Sequence, residues 1–426
     1  MATINGNYRE FKLENGLFVA LQETPTQTVS GRLRVWHGAL NERKGEEGIA
    51  HFLEHTIVTG GSKKYKPAEV DEISGKFGSF NAFTSLDRTF FPVDMLSEDN
   101  QLFLEYISDV AFNPLFDKTK VEEERQRVLR EIADAKSRPE YKDIKAYSEA
   151  FFGKDSPRTY PILGKETVIE TANTNILKEF HKRGYQPNNM DLILVGALPK
   201  NVEELIRENF SHPSTGSGKK FEFQKNPQIQ KTIILHTSAP ELYNHENPQQ
   251  SSANLSMSLV APSKTEEDSY AVGMLVNILG GSANSKLFQA VSQRKGLAYG
   301  VGAQYDVRNN AGAIYIGGTI HSNRANEAID AIFDEMKKLR HDLVPQETLD
   351  TLKRKSKYNL AKTFETNEGH VNAIEAKIDE GLTPEHHLEK INAVTPEKIR
   401  EVAVKYLPQS REDENYVLML RDPLKK

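Results

Sequence analysis

The stretch Gly48-Ile49-Ala50-His51-Phe52-Leu53-Glu54-His55-Thr56 decides the reading of this chain. Its apolar positions recur at helical spacing, so residues 46–58 are expected to form a helix. His51 and His55 stand four apart, one above the other on one helix face. Two imidazoles so placed can meet a single metal ion, and Glu54, three residues after His51, lies toward the same side. Zinc lowers the pKa of a bound water to roughly 7, and a carboxylate in that place can take its proton. The order mirrors the H-E-x-x-H zinc helix, with the acid beside the second histidine instead of the first. With 12 histidines and 60 acids in 426 residues, such a pentad arises by chance with an expectation of roughly 0.05. The alternative reading is two half-buried histidines and a solvated glutamate on an amphipathic helix.

A catalytic zinc needs a third protein ligand, and the chain has no cysteine to offer. That absence also excludes disulfides, zinc fingers, iron–sulfur clusters and thiol catalysis. No third histidine follows nearby. Further on, Val121, Glu124, Val128, Glu131, Ile132 and Ala135 share one face of an expected helix over residues 117–136, with Asp117 as its N-cap. That face is apolar except for Glu124 and Glu131, and carboxylates facing a core are costly unless paired or metal-bound. They could also simply pair with Arg125, Arg127 or Arg130.

The rest of the composition is that of an ordinary globular protein. Lys and Arg total 55 against 60 Asp and Glu, a net charge of −5, so no basic excess points to nucleic acid. Mean hydropathy is −0.58 and no run of 18 apolar residues occurs, which argues against a membrane protein. Met1 to Ala20 carry charges and lack an apolar core, so no secretory signal is read and a cytoplasmic setting is expected. No Gly-rich segment has the context of a phosphate-binding loop.

A long-period echo suggests duplication. Gly78 in Gly75-Lys-Phe-Gly-Ser-Phe-Asn-Ala-Phe-Thr84 matches Gly296 in Gly296-Leu-Ala-Tyr-Gly-Val-Gly-Ala303, an offset of 218 residues. Each is followed by alternating residues, a polar turn and a helical pattern. The small and polar run His212-Pro-Ser-Thr-Gly-Ser-Gly218 is linker chemistry. The expected division is therefore a metal-binding domain over 1–211, a linker over 212–219 and a homologous domain over 220–426. Strands and helices alternate without βαβ regularity, which predicts an α+β fold of two similar halves, each a largely antiparallel sheet with helices packed on it. Helices are expected from Pro67 and over residues 286–293. His386 and His387 are expected to be solvated, His37 to be a structural hydrogen-bonder, and Arg9, Arg32 and Arg34 to sit at surface strand positions.

Taken together, these motifs resemble the inverted-motif zinc peptidases related to pitrilysin, insulin-degrading enzyme and the mitochondrial processing peptidase. His51-Phe-Leu-Glu54-His55 is similar to the family's zinc motif, Glu131, 76 residues after His55, to its distal ligand, and Glu124 to its second helix acid. Gly78-Ser-Phe-Asn81-Ala82-Phe-Thr84 resembles its substrate edge strand, Tyr185 to Gly196 a late strand of its first module, and Gly280 to Gln289 with Gly296-Leu-Ala-Tyr299 its second-half signature.

The resemblance implies a zinc metalloendopeptidase acting on peptides or unfolded protein segments. Zn2+, one per subunit, would sit on His51, His55 and Glu131. Glu54 would be the base, Glu124 its support, Asn81 and Ala82 the substrate-pairing residues, and Tyr299 an oxyanion donor. It also implies a clamshell-like dimer, either a homodimer or a heterodimer with a homologous chain. One position departs: seven residues before Tyr299 the family carries Arg, and here Ser292 stands, with Arg294 two residues out of register. A catalytic subunit that needs a homologous partner, or a non-catalytic scaffold of the same fold, are the competing expectations.

Overall fold

Leu192-Ile-Leu-Val195 is apolar without alternation, the pattern of a strand covered on both faces. In the computed structural model, which describes residues 7–154, 156–159, 162–214, 232–308 and 311–423, every residue of this strand is buried. Leu192 and Leu194 enter the main core of their sheet, while Ile193 and Val195 enter a second cluster on the opposite face.

The strands of this sheet are β1 (Tyr8–Lys12), β2 (Phe18–Glu23), β3 (Thr28–Val35), β4 (Ser79–Phe80), β5 (Phe83–Thr84), β6 (Thr89–Leu96) and β7 (Met190–Gly196). They run in the order β1-β2-β7-β3-β6-β4, with β5 also on β6. Among the described residues of this sheet only β2 and β7 pair in parallel. A second sheet holds β8 (Ile233–Ser238), β9 (Ser252–Ala261), β10 (Ala298–Val307), β11 (Gly312–His321) and β12 (Tyr416–Asp422), ordered β10-β11-β9-β12-β8. Here too one pair, β8 with β12, is parallel. With β1 set aside and β4 and β5 taken together, both sheets place their first, last, second, fourth and third strands side by side in that order. The fold is α+β, and the echo seen in the sequence is a repeated topology.

The helices are α1 (Ile49–Thr59), α2 (Pro67–Ser74), α3 (Asn100–Phe112), α4 (Lys118–Ser137), α5 (Tyr141–Phe152), α6 (Glu166–Thr171), α7 (Thr174–Gly184), α8 (Val202–Asn209), α9 (Ser269–Gly280), α10 (Ala325–His341), α11 (Gln346–Thr363), α12 (Asn367–Glu380), α13 (Pro384–Ala393) and α14 (Pro396–Tyr406). Pro67 occupies the first turn of α2, and Asp117 caps α4 by accepting from the backbone N–H of Thr119 and Lys120. Residues 288–294, overlapping the helix expected over 286–293, wind as a π-helix, with the N–H of Lys295 donating to the carbonyl of Ala290 five residues back.

Packing groups the chain differently from its order. One compact unit takes residues from 1–136, 160–221 and 359–384, the other from 137–159, 222–358 and 385–426. In the first, α12 covers β3 and β7; in the second, α5 covers β8 and β12. Each half of the chain thus contributes one helix to the other half's sheet. Of the expected linker over 212–219, residues 215–219 lie outside the described residues.

The helix α12 overturns one expectation. Arg32 and Arg34 are buried, Arg34 completely. They project from the β3 face that α12 covers, where Arg32 pairs with Glu368 and Glu375 and Arg34 with Asp191 and Asp379. Charges alternating with apolar residues on a strand read as solvated; here the second face meets an acidic helix instead. Arg9 stays half-exposed, paired with Glu23 and Glu203. His37 is buried against Phe180, with ring centroids 4.2 Å apart, as a structural residue. His386 is exposed, but His387 is half-buried and hydrogen-bonds the Tyr270 hydroxyl through Nδ1 at 2.6 Å.

Candidate active site

Helix α1 begins at Gly48, whose φ of +101° lies in the left-handed region. A Cβ at this position would stand 2.7 Å from Cα of Gly164, so glycine is required. Lacking a side-chain cap, α1 is held by Glu42 from upstream. Its two carboxylate oxygens accept from the N–H of Gly48 at 3.0 Å and of Ala50 at 2.8 Å. Burial pushes the Glu42 carboxyl up to about 8. Ile49, Ala50, Phe52, Leu53, Thr56 and Ile57 anchor the helix in the core, which leaves His51 and His55 together on the other side.

Nε2 of His55 lies 3.2 Å from Nε2 of His51. Helix α4 brings up Glu131, whose Oε2 is 3.6 Å from Nε2 of His51 and 3.8 Å from Nε2 of His55. Seven residues earlier on the same face, Glu124 meets the far nitrogen of His55, Nδ1, at 3.0 Å. The two acids that the sequence placed on one stripe thus take different stations. Glu131 is half-exposed at the convergence point, and Glu124 is buried behind His55.

Three ligand atoms, one each from His51, His55 and Glu131, lie within 4.8 Å of one another. Two imidazole nitrogens and a carboxylate oxygen make a donor set suited to zinc. The tautomers agree with it. Nδ1–H of His55 donates to Glu124, which turns the Nε2 lone pair toward Nε2 of His51. Two imidazole nitrogens and a carboxylate facing one another at these distances call for a cation or a proton between them.

Electrostatics follow the packing. Burial and the adjacent His55 hold the His51 imidazole down at about 4, so it is neutral and able to ligate. Burial also acts to lower His55, but its hydrogen bond to Glu124 and the charges of Glu131 and Glu54 outweigh this and raise it. For Glu124, burial works upward and is overcome by His55 and Arg127, leaving its pKa lowered. Glu54 is buried, and desolvation raises its carboxyl despite a hydrogen bond from Thr84. Thr84 Oγ1 donates to Glu54 Oε2 at 2.7 Å.

Asn81 and Ala82 lie between β4 and β5, at the open edge of the same sheet. The N–H of Asn81 donates to the carbonyl of Pro92, and its own Oδ1 accepts from the N–H of Ala82 at 2.9 Å. Tyr299 belongs to the second compact unit, where it is 61% exposed at an irregularity in the pairing of β10 with β11. Ser292 lies in the π-helix, and Arg294 is 3.5 Å from Glu335. Sequence reading assigned no role to Thr84 or Glu42. Thr84 stood inside the edge-strand motif, whereas Glu42, upstream of α1 in an irregular segment, carried no periodic signal.

Two family descriptions fall on this chain: "Insulinase (Peptidase family M16)" over residues 18–161 and "Peptidase M16 inactive domain" over residues 171–356. The chain belongs to the insulinase family of peptidases, family M16. The His51–Glu131 cluster lies wholly within the first of these spans. An uncharacterized zinc protease of Rickettsia bellii is 28% identical over 370 residues, 83% of each chain. One of Bacillus subtilis is 26% identical over 421 residues, covering 97% of this chain and 98% of the relative. In structure, the chain resembles a protease from Helicobacter pylori, with a TM-score of 0.84 at 20% identity and coverage of 98% and 99%. It also resembles the periplasmic protease PqqL of Escherichia coli, with a TM-score of 0.81 at 19% identity, covering 98% of this chain and 48% of that one. Among the described residues no helix is long and apolar enough to cross a membrane.

Proposed function

We propose that this chain is a zinc-dependent endopeptidase acting on peptides or unfolded protein segments. The observation that carries the reading is the convergence of His51, His55 and Glu131, with Glu54 on the same helix and free of that cluster. His51, His55 and Glu131 would hold one Zn2+ per subunit, with Glu124 fixing the tautomer and orientation of His55. Zinc bound there supplies Lewis-acid polarisation of the scissile carbonyl and acidifies water. Glu54 takes the proton of the attacking water and returns it to the leaving amine. Its raised pKa suits a group that must both accept and give a proton near neutrality. Asn81 and Ala82 offer an open sheet edge, on which an extended peptide adds as a strand through its backbone.

Tyr299 is the proposed oxyanion donor, and the chain is proposed to work as a clamshell-like homodimer in the cytoplasm. PqqL, about twice this length, supports a doubled arrangement. Ser292 supports a second reading, in which a homologous chain bearing the missing Arg completes the site. The test is a fluorogenic-peptide assay on the chain purified alone, with and without chelator, beside its zinc content and solution mass. Chelator-sensitive cleavage by a homodimer supports the first reading, and a zinc-loaded chain rescued only by a homologue supports the second. Full zinc occupancy after replacing both His51 and His55 with Ala would overturn the ligand set.

A further inference from the structure

We infer that Thr84 is a positioning residue that ties the peptide-binding edge to the base. The inference rests on the peptidase reading above and extends it to a residue that does not touch the metal cluster. In an uninterrupted edge strand alternate N–H groups would bond the neighbouring strand and the others would face outward. Here the edge is two dipeptide strands, β4 and β5, separated by Asn81 and Ala82, and both pair with β6. The Asn81 side chain takes the Ala82 N–H for itself. Two residues on, the Thr84 hydroxyl crosses from the edge to α1 and donates to Glu54 at 2.7 Å. Phe83, the residue between, is 43% exposed and stacks on Phe90 with ring centroids 4.4 Å apart, so adjacent residues serve opposite faces.

Thr84 restrains Glu54 through its hydroxyl and, beside it, through its backbone N–H. Glu54 is buried on α1, its carboxylate lies outside the three-ligand cluster, and a buried carboxylate without a donor is costly. The hydroxyl of Thr84, with the backbone N–H beside it, therefore fixes the rotamer of Glu54. A peptide strand that settles on the edge also settles Thr84, and with it the base. Misplacing a catalytic group by about 1 Å can cost up to about 10²-fold in rate.

The test compares Thr84→Val, which keeps the shape and loses the donor, with Thr84→Ser, which keeps the donor. Zinc content, kcat and KM on a fluorogenic peptide, and crystal structures of the zinc-loaded proteins are measured. The expected result is a kcat about 10-fold lower in Thr84→Val with KM within about 2-fold, unchanged zinc content, a displaced Glu54 carboxylate, and recovery of both in Thr84→Ser. An unmoved Glu54 carboxylate in Thr84→Val overturns the inference whether or not the chain cleaves the peptide. So does a zinc loss matching the loss of rate, which would make Thr84 merely structural. Failure of the peptidase reading shows separately, as a zinc-loaded parent that is inert while the Glu54 displacement is still seen.

Discussion

Replacing Glu124 with Gln removes a charge from a side chain that is 3% exposed and lies 3.0 Å from Nδ1 of His55. The amide oxygen can still accept the Nδ1–H, so geometry survives and only the charge-assisted part of the bond is lost, roughly half its strength. Outer partners of metal-bound histidines are worth about 10–100-fold in metal affinity, or about 1.4–2.8 kcal/mol. Gln should therefore sit near the tenfold end, and Ala, which also frees the imidazole to rotate, near the hundredfold end. The assay is competition for zinc against a chromophoric chelator at fixed pH. Unchanged affinity in both variants would refute the orienting role. A weakening by Glu124→Ala that exceeds His55→Ala would show Glu124 to be a ligand itself. The metal-free protein offers a second readout. His55 is raised from 6.5, so its contribution to stability is complete below about that pH and is lost as pH rises through its folded value. Glu124 is lowered from 4.5, so its contribution is complete above about that pH and is lost as pH falls through its folded value. The pair stabilises the metal-free fold most between about 4.5 and 6.5, so Glu124→Gln should lower the urea midpoint most within that window and flatten its fall on either side.

Three further outcomes are expected. Glu54→Gln should retain zinc and lose turnover by at least about 10²-fold, because the amide cannot take a proton; undiminished cleavage would remove Glu54 from the role of base. Arg34→Met should cost about 3 kcal/mol in urea unfolding, because it takes the guanidinium from Asp191, which is 4% exposed and keeps the Trp36 indole N–H, and from Asp379 of α12, which keeps Arg88; a change below about 1 kcal/mol would show that the buried ion pairs do not hold that helix. Tyr299→Phe should lower peptide turnover while leaving zinc content unchanged, since one donor to a developing oxyanion is worth about 2.7–4 kcal/mol in comparable sites. Full activity in that variant would dismiss the phenol.

What was legible in the sequence was local. The helix of His51 and His55 declared itself by spacing, as did the stripe of Glu124 and Glu131, because a helix repeats its faces every few residues. The exposure that separates Glu124 from Glu131 was not legible, since it depends on how α4 leans on α1. The burial of Arg32 and Arg34 was hidden for a stronger reason. Their partners Glu368, Glu375 and Asp379 lie more than 330 residues away, on a helix contributed by the other half of the chain. Locally, Arg32 and Arg34 have the pattern of a strand with a wet face. The apolar run 192–195 held the contrary information, because a strand buried on both faces requires a cover for the second face.

The repeated topology makes the difference between the two copies informative. The helix that follows the second strand is α1 in the first copy and α9 in the second. Buried residues occupy eight of the twelve positions of α9, and its sequence Ser269-Tyr-Ala-Val-Gly-Met-Leu-Val-Asn-Ile-Leu-Gly280 offers neither histidine nor acid. The counterpart of α4 is α11, which buries only Leu349. The third strand of the second copy, β10, runs for ten residues along β11, whereas β4 and β5 are interrupted at Asn81 and Ala82. The second copy keeps the same strand order with neither histidine nor acid on α9, though its sheet also buries an ion pair, Arg421 with Asp143 of α5. In the first copy, one face of α1 carries His51, Glu54 and His55, and the sheet edge breaks at Asn81 and Ala82, just before Thr84 reaches Glu54. Both departures meet at one carboxylate, that of Glu54. Two departures that converge on a single group are what the proposed chemical site would leave behind in such a fold.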